Sequence, residues 1–167
     1  VRPVTINGGM RMRAWYDIVG MDFATRAEAA GVEESIAQVE ALIARESERG
    51  TPPSRLLLAG FSQGGAIALA TGLRRRQPLA GLVALSTYLP GGVAAASARD
   101  PNAVAQPVFF AHGDSDPVIP AQYGQASAQM LERVGFEVEW HRYPMAHQVC
   151  AADIADLAGW LDRRLAG

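Results

Sequence analysis

The stretch Gly60-Phe61-Ser62-Gln63-Gly64 decides the fold of this chain. An apolar run at residues 55–59 precedes it, and a run of small and apolar residues at 65–70 follows it. This order predicts a strand, a sharp turn with Ser62 at its apex and then a helix, which is the setting of a nucleophile elbow. Glycines on both sides of the serine are expected there, because side chains would clash where the two backbones come close.

Segments outward from this stretch alternate between strand and helix patterns. Continuous apolar strands separated by helices predict an α/β fold with a mostly parallel sheet and helices on both faces. Residues 1–24 are predicted to be irregular, and residues 87–106 to be a long loop that could act as a flap. The predicted helices cover 26–49, 65–75, 120–134 and 151–165, and the predicted strands cover 55–59, 79–86, 107–111 and 136–143.

Composition is that of one soluble domain, which we expect to span residues 1–167. The chain is 49% hydrophobic and 19% charged, and its net charge of −2 gives no reason to expect nucleic acid or a membrane as a partner. Cys150 is the only cysteine, so an intrachain disulfide and a cysteine metal cluster are excluded. We expect neither a metal nor a cofactor. Without a visible signal peptide, the expected location is the cytoplasm.

Three residues that could form a catalytic triad each follow a predicted strand. Ser62, Asp116 and His147 come in this order along the chain, which is the order expected of an α/β-hydrolase. Ends of parallel strands meet at one rim, so the three side chains are predicted to lie together. Histidine can take the proton of a serine hydroxyl, and aspartate fixes the tautomer of the imidazole.

Other residues compete for these roles. Asp114 lies two residues from Asp116, and we prefer Asp116 because Pro117 and the following residues place it at the start of a helix. His112 is expected to be a structural hydrogen-bonding residue. His141 falls within an alternating strand and is expected to be exposed.

The chain resembles the bacterial carboxylesterase and acyl-protein thioesterase family, also called the phospholipase/carboxylesterase family, of α/β-hydrolases. The extended form Gly-Phe-Ser-Gln-Gly-Gly is much more specific than the bare elbow. The matching segments run from end to end of the chain: RPVTINGG (2–9), WYDI (15–18), LAGFSQGG (58–65), ALSTY (84–88), HGDSDPV (112–118) and YPMAH (143–147).

This resemblance implies a site and a chemistry. It makes Ser62 the nucleophile, Asp116 the acid and His147 the base, with the backbone N–H of Gln63 donating to the oxyanion. Met12 and Trp15 are implied as part of an acyl pocket near the nucleophile. Members of the family hydrolyse short to medium acyl esters and thioesters without a cofactor.

The front of the chain departs from the family pattern. Family members carry roughly fifty residues before the matching stretch, and we find no counterpart of these residues here. They include a His-Gly-Leu-Gly type loop with the second oxyanion donor. The predicted strand at 55–59 would then lack a neighbour on one side. Because apolar strands are rarely left on an open edge, we expect residues 1–13 to fold back over it or a second copy to cover it in a homodimer.

Three functions remain in competition at this point. The first is a serine esterase acting on short to medium carboxylic esters through an acyl-enzyme, and the second is an acyl-protein thioesterase. The third, of another class, is a catalytically impaired fragment that acts only by binding or assembly. A lactone hydrolase is a weaker alternative, because enzymes of that type that resemble this fold carry cysteine at the elbow.

Overall fold

A four-stranded parallel sheet forms the centre of the fold in the computed structural model, which describes residues 1–165. The elements in chain order are β1 (Arg2–Val4), β2 (Met10–Met12), α1 (Ala29–Glu48), β3 (Leu57–Phe61), α2 (Gln63–Arg74), β4 (Gly81–Leu85), α3 (Gly92–Ser97), β5 (Pro107–Gly113), α4 (Ala121–Arg133), β6 (Glu137–Tyr143) and α5 (Ala151–Leu165). The strand order is β3-β4-β5-β6, and every neighbouring pair is parallel. All four carboxyl ends therefore meet at one rim.

Helices cover both faces of this sheet, as the sequence predicts. On one face, side chains such as Leu82 and Phe110 pack in the cluster that includes residues of α1, α2 and α4. On the other face, Val83 and Phe109 pack against Trp160 of α5. These side chains are almost fully buried, and burial of one large apolar side chain contributes about 1.5–3 kcal/mol. Strands buried on both sides explain why the sequence of β4 and β5 is continuously apolar.

Two predicted boundaries move by a few residues. Helix α1 begins at Ala29 and not at Arg26, because the Glu28 carboxylate accepts hydrogen bonds from the N–H groups of Ala30 and Gly31 and so caps the helix. Strand β3 begins at Leu57 and not at Arg55, because Pro53–Arg55 forms one turn of 3₁₀ helix. The segment predicted as a long loop, residues 87–106, contains the short helix α3.

Residues 1–13 do not cover the edge of β3 by pairing with it, so that prediction is wrong. Strands β1 and β2 pair with each other in a small antiparallel sheet. Gly8 and Gly9 make this possible, since both adopt the positive φ of a tight turn. The free edge of β3 borders an apolar groove of about 260 Å³ whose walls include Leu57, Ile43 and Trp15. A second copy covering this edge stays a prediction.

A buried carboxyl group lies between α5 and the sheet. Asp153 is fully buried, and neither of its carboxylate oxygens has a hydrogen-bond partner among residues 1–165. Burial raises the pKa of Asp153, His141 opposes this rise, and Asp156 adds to it. Because the pKa of Asp153 is raised in the folded state, ionisation of this group opposes folding. The loss of stability is absent below the unfolded-state pKa, grows as pH rises from the unfolded-state to the folded-state pKa, and is complete above the folded-state pKa.

We predict that Asp153→Asn stabilises the protein increasingly as pH rises. The amide has nearly the shape of the carboxyl but never ionises, so the gain in unfolding free energy is expected to be on the order of 1 kcal/mol at pH 8 and much smaller at pH 4.5. Urea denaturation at both pH values measures it. The exposed Asp162→Asn, on the same helix, controls for the change in net charge. A loss of stability in Asp153→Asn at pH 8 would contradict the prediction.

Candidate active site

Ser62 occupies a strained turn between β3 and α2. Its backbone angles are φ 53° and ψ −122°, a combination that a residue with a side chain rarely adopts. A hydrogen bond from the Ser62 N–H to the carbonyl of Leu85 anchors the turn at 2.8 Å. The turn also needs a glycine before it, because a Cβ at Gly60 would lie 2.2 Å from the carbonyl carbon of Gly64. The Ser62 hydroxyl consequently stands at the rim of the sheet.

The structure brings Ser62, His147 and Asp116 together in a hydrogen-bonded chain. His147 Nε2 lies 2.9 Å from Ser62 Oγ, and His147 Nδ1 lies 2.7 Å from Asp116 Oδ2. With an ionised aspartate, Nδ1 donates and Nε2 is left to accept the proton of the serine hydroxyl. This arrangement can activate an oxygen nucleophile.

Asp116 is oriented by its own loop. Its side chain is fully buried, and Oδ1 accepts hydrogen bonds from the N–H groups of Val118 at 2.8 Å and Ile119 at 2.9 Å. The other oxygen, Oδ2, is thereby directed at the imidazole of His147. The loop is tied down in turn by His112, whose Nε2 donates to the carbonyl of Ile119 at 2.7 Å.

The residues that competed for these roles have other partners. Asp114 forms an ion pair with Arg142 Nε at 2.7 Å. His112 is fully buried, and burial lowers its pKa, so it is neutral at neutral pH and serves as a hydrogen-bond donor. His141, expected to be exposed, is half-buried with its ring stacked on Phe109, 4.7 Å between ring centroids.

The side chain of Gln63 links the elbow to the first part of the chain. Its Oε1 accepts from the N–H of Trp15, and its Nε2 donates to the carbonyl of Tyr16, both at 2.8 Å. From the sequence, only the backbone N–H of Gln63 had a predicted role. The two bonds fix the first residue of α2 and therefore the direction of that N–H at the helix N-terminus, where negative charge is stabilised.

A threonine after β4 holds the elbow from the opposite side. Thr87 Oγ1 donates to the carbonyl oxygen of Ser62 at 2.6 Å. The preceding residue, Ser86, is fully buried and also has a positive φ, 47°. Neither residue was assigned a role from the sequence, although a Ser-Thr pair directly after a buried strand at the rim was a visible signal.

The two residues implied for an acyl pocket are placed differently. Trp15 lies beside the elbow, with its indole Nε1 3.5 Å from where a Cβ at Gly64 would be, and it lines the groove along β3. Met12 lies in β2, where its sulfur accepts a hydrogen bond from Asn7 Nδ2 at 3.3 Å. Their part in substrate binding stays a prediction.

Residues 1–165 contain neither a metal-ligand cluster nor a membrane-spanning helix. No group of three or more histidine, cysteine or acidic side chains in this range could hold a metal ion. None of the helices in it is both long enough and apolar enough to cross a bilayer. Cys150 is a free thiol of intermediate exposure that packs at the edge of the cluster around Trp160.

Comparison with known proteins gives consistent matches over nearly the whole chain. The model of the family described as Phospholipase/Carboxylesterase matches residues 1–164. The protein named acyl-protein thioesterase 1 of Mycosarcoma maydis is 41% identical over 178 residues, covering 98% of this chain and 74% of that protein. Its namesake from Yarrowia lipolytica is 36% identical over 168 residues, with the same two coverages.

Solved structures agree with this assignment of the fold. SOBER1 of Arabidopsis thaliana superposes with a TM-score of 0.90 at 30% identity, covering 98% of this chain and 80% of that one. Acyl-protein thioesterase 2 of Zea mays superposes with a TM-score of 0.83 at 26% identity, covering 98% and 78%. The prediction of an α/β-hydrolase fold is confirmed.

We predict that Thr87→Val slows the reaction of Ser62 with a fluorophosphonate. Valine keeps the shape of threonine but cannot donate to the Ser62 carbonyl, and a lost hydrogen bond of this kind corresponds to about a twofold to tenfold effect. Thr87→Ser retains the donor and is expected to react nearly as fast as the wild-type chain. Second-order labelling rates measure the effect, and equal rates for all three proteins would contradict it.

Proposed function

The chain belongs to the phospholipase/carboxylesterase family and is a serine hydrolase acting on esters, and within this class we propose that it hydrolyses S-acyl groups on proteins. The two fungal relatives that support this proposal are named acyl-protein thioesterase 1, and the chain covers about three quarters of each. The observation that carries the chemistry is the hydrogen-bonded chain of Ser62, His147 and Asp116. The catalytic roles of these three residues are part of the proposal.

Acylation begins at the Ser62 hydroxyl. Its oxygen attacks the thioester carbonyl carbon while His147 Nε2 takes the hydroxyl proton. Asp116 stabilises the imidazolium that forms, through the bond at Nδ1. When the tetrahedral intermediate collapses, the carbon–sulfur bond breaks, the cysteine sulfur leaves with the bonding electrons, and the imidazolium supplies its proton. An acyl group remains on Ser62 as an oxygen ester.

The oxyanion of the intermediate requires a donor on the side of the elbow. The backbone N–H of Gln63 is positioned for this at the start of α2, and its orientation is fixed by the contacts of the Gln63 side chain with Trp15 and Tyr16. One preorganised donor is typically worth about 10²–10³ in kcat. The hydrogen bonds of the Gln63 side chain are therefore expected to affect kcat.

Deacylation repeats the same steps with water. His147, neutral again, takes a proton from a water molecule as its oxygen attacks the acyl-Ser62 carbonyl. Collapse of the second intermediate breaks the bond to Ser62 Oγ, which recovers a proton from His147. The products are a free carboxylic acid and the starting enzyme, so the cycle needs no cofactor.

A short to medium carboxylic ester is the second candidate substrate. The family description, which names carboxylesterases, favours it. The acyl-enzyme chemistry is the same for both candidates, so only relative rates distinguish them.

We predict that Ser62→Ala abolishes hydrolysis of a short-chain p-nitrophenyl ester and of an S-octanoyl cysteine peptide. Loss of the nucleophile is expected to lower kcat by about 10⁴-fold or more. The exposed Ser54→Ala is the matched control and should retain full activity. Equal rates in wild type and Ser62→Ala, both at the level of buffer, would support the binding-only alternative.

We predict a preference for sulfur over oxygen esters in a matched pair of peptides. One peptide carries S-octanoyl cysteine and the other O-octanoyl serine in the same sequence, and each kcat/KM is divided by the rate of hydroxide hydrolysis of that peptide. A higher normalised value for the S-acyl peptide is expected of a thioesterase. A higher value for the O-acyl peptide would overturn the thioesterase proposal in favour of the carboxylesterase.

A further inference from the structure

The aromatic ring of Phe61 lies against the imidazole of His147. The two ring centroids are 4.8 Å apart, and the ring planes are inclined by 48°. Phe61 is the last residue of β3 and directly precedes Ser62, so the elbow itself fixes the position of this ring beside the imidazole. The contact joins the end of β3 to the loop after β6.

Burial alone does not account for this side chain. Phe61 is 40% exposed at the end of an edge strand and belongs to neither of the two hydrophobic clusters. Its aromatic neighbour among residues 1–165 is His147. A large apolar side chain in this position contributes little stability through packing. Its contact with His147 is therefore where we expect its role.

Both nitrogens of His147 are already used. Nδ1 is hydrogen-bonded to Asp116 and Nε2 to Ser62. Within the ring plane, these are the two groups that interact with a positive charge on the imidazole. The ring of Phe61 is a third neighbour, with its centroid 4.8 Å from that of the imidazole. The face of a benzene ring carries partial negative charge and attracts a cation within about 6 Å of its centroid.

We propose that Phe61 is a positioning residue that stabilises the imidazolium form of His147 by a cation–π interaction. This rests on the proposed function, in which His147 becomes positively charged each time it takes a proton from Ser62 or water. The interaction favours the transition states of acylation and deacylation, because positive charge on the imidazole is present in both and absent in the resting enzyme. Phe61 itself gains or loses no proton.

Other charged groups near His147 act on the same equilibrium. Asp116 favours the imidazolium, whereas His112, behind it, would oppose the imidazolium if charged. Burial lowers the pKa of His112 and keeps it neutral, and the Arg142 charge beyond it is paired with Asp114. None of these groups is altered by a substitution at Phe61, so their effects cancel in a comparison of variants.

The test is the pH profile of kcat/KM in three proteins: the wild type, Phe61→Leu and Phe61→Tyr. A small substrate, p-nitrophenyl acetate, limits effects of contact with the acyl chain. Phe61→Leu is expected to lower the plateau about threefold, and to move the acid limb of the profile to lower pH by about 0.5 unit. Phe61→Tyr keeps an aromatic face and should keep both features.

The shift of the acid limb separates this role from a structural one. Loosening of the elbow would lower the plateau without moving the limb, and that result would overturn the inference, as would a wild-type profile in Phe61→Leu. The pH dependence of fluorophosphonate labelling provides a second readout that needs no ester turnover. Failure of the proposed function would show separately, as equal ester hydrolysis by wild type and Ser62→Ala.

Discussion

The close approach of β3 to α2 is the constraint on which the rest of the site depends. At Gly60 the backbone of the strand is so near that of the helix that even a Cβ would lie 2.2 Å from the carbonyl carbon of Gly64. The turn between them forces Ser62 into a positive φ, which is energetically unfavourable for a residue with a side chain. The strain is tolerated because two hydrogen bonds with residues at the end of β4, one to Leu85 and one from Thr87, hold the turn. The position of the Ser62 hydroxyl at the rim is therefore a consequence of backbone geometry.

The parallel sheet places the strained turn beside the other two residues of the proposed triad. Ser62, Asp116 and His147 follow β3, β5 and β6, whose carboxyl ends share one rim, and Thr87 after the intervening β4 donates to the Ser62 carbonyl. The Asp116 side chain is also fixed by its own loop, through the N–H groups of Val118 and Ile119. Orientation of the triad is achieved before any substrate binds, which is how an enzyme reduces the entropic cost of its reaction.

Supporting contacts around the triad come from residues that are distant in the chain. The amide of Gln63 bridges to Trp15 and Tyr16, 48 and 47 residues away, and Thr87 reaches Ser62 across 25 residues. Phe61 is adjacent to Ser62 in sequence but meets His147 across the mouth of the site. Because these pairings follow from packing, no local pattern in the sequence predicts them, although each residue lies beside a motif that the sequence makes visible.

The sequence by itself determined the elbow, the order of strands and helices, and the rim at which Ser62 and His147 meet an aspartate. These follow from local rules: glycine at a close approach, period and length of apolar runs, and the meeting of parallel strand ends. Tertiary structure decided the pairings and contacts that local sequence rules do not specify. The hairpin of β1 and β2 pairs with itself and leaves the edge of β3 free, because pairing depends on which strands meet in space. Asp116 prevails over Asp114 for the same reason, since a distance of 2.7 Å to His147 exists only once the chain has folded.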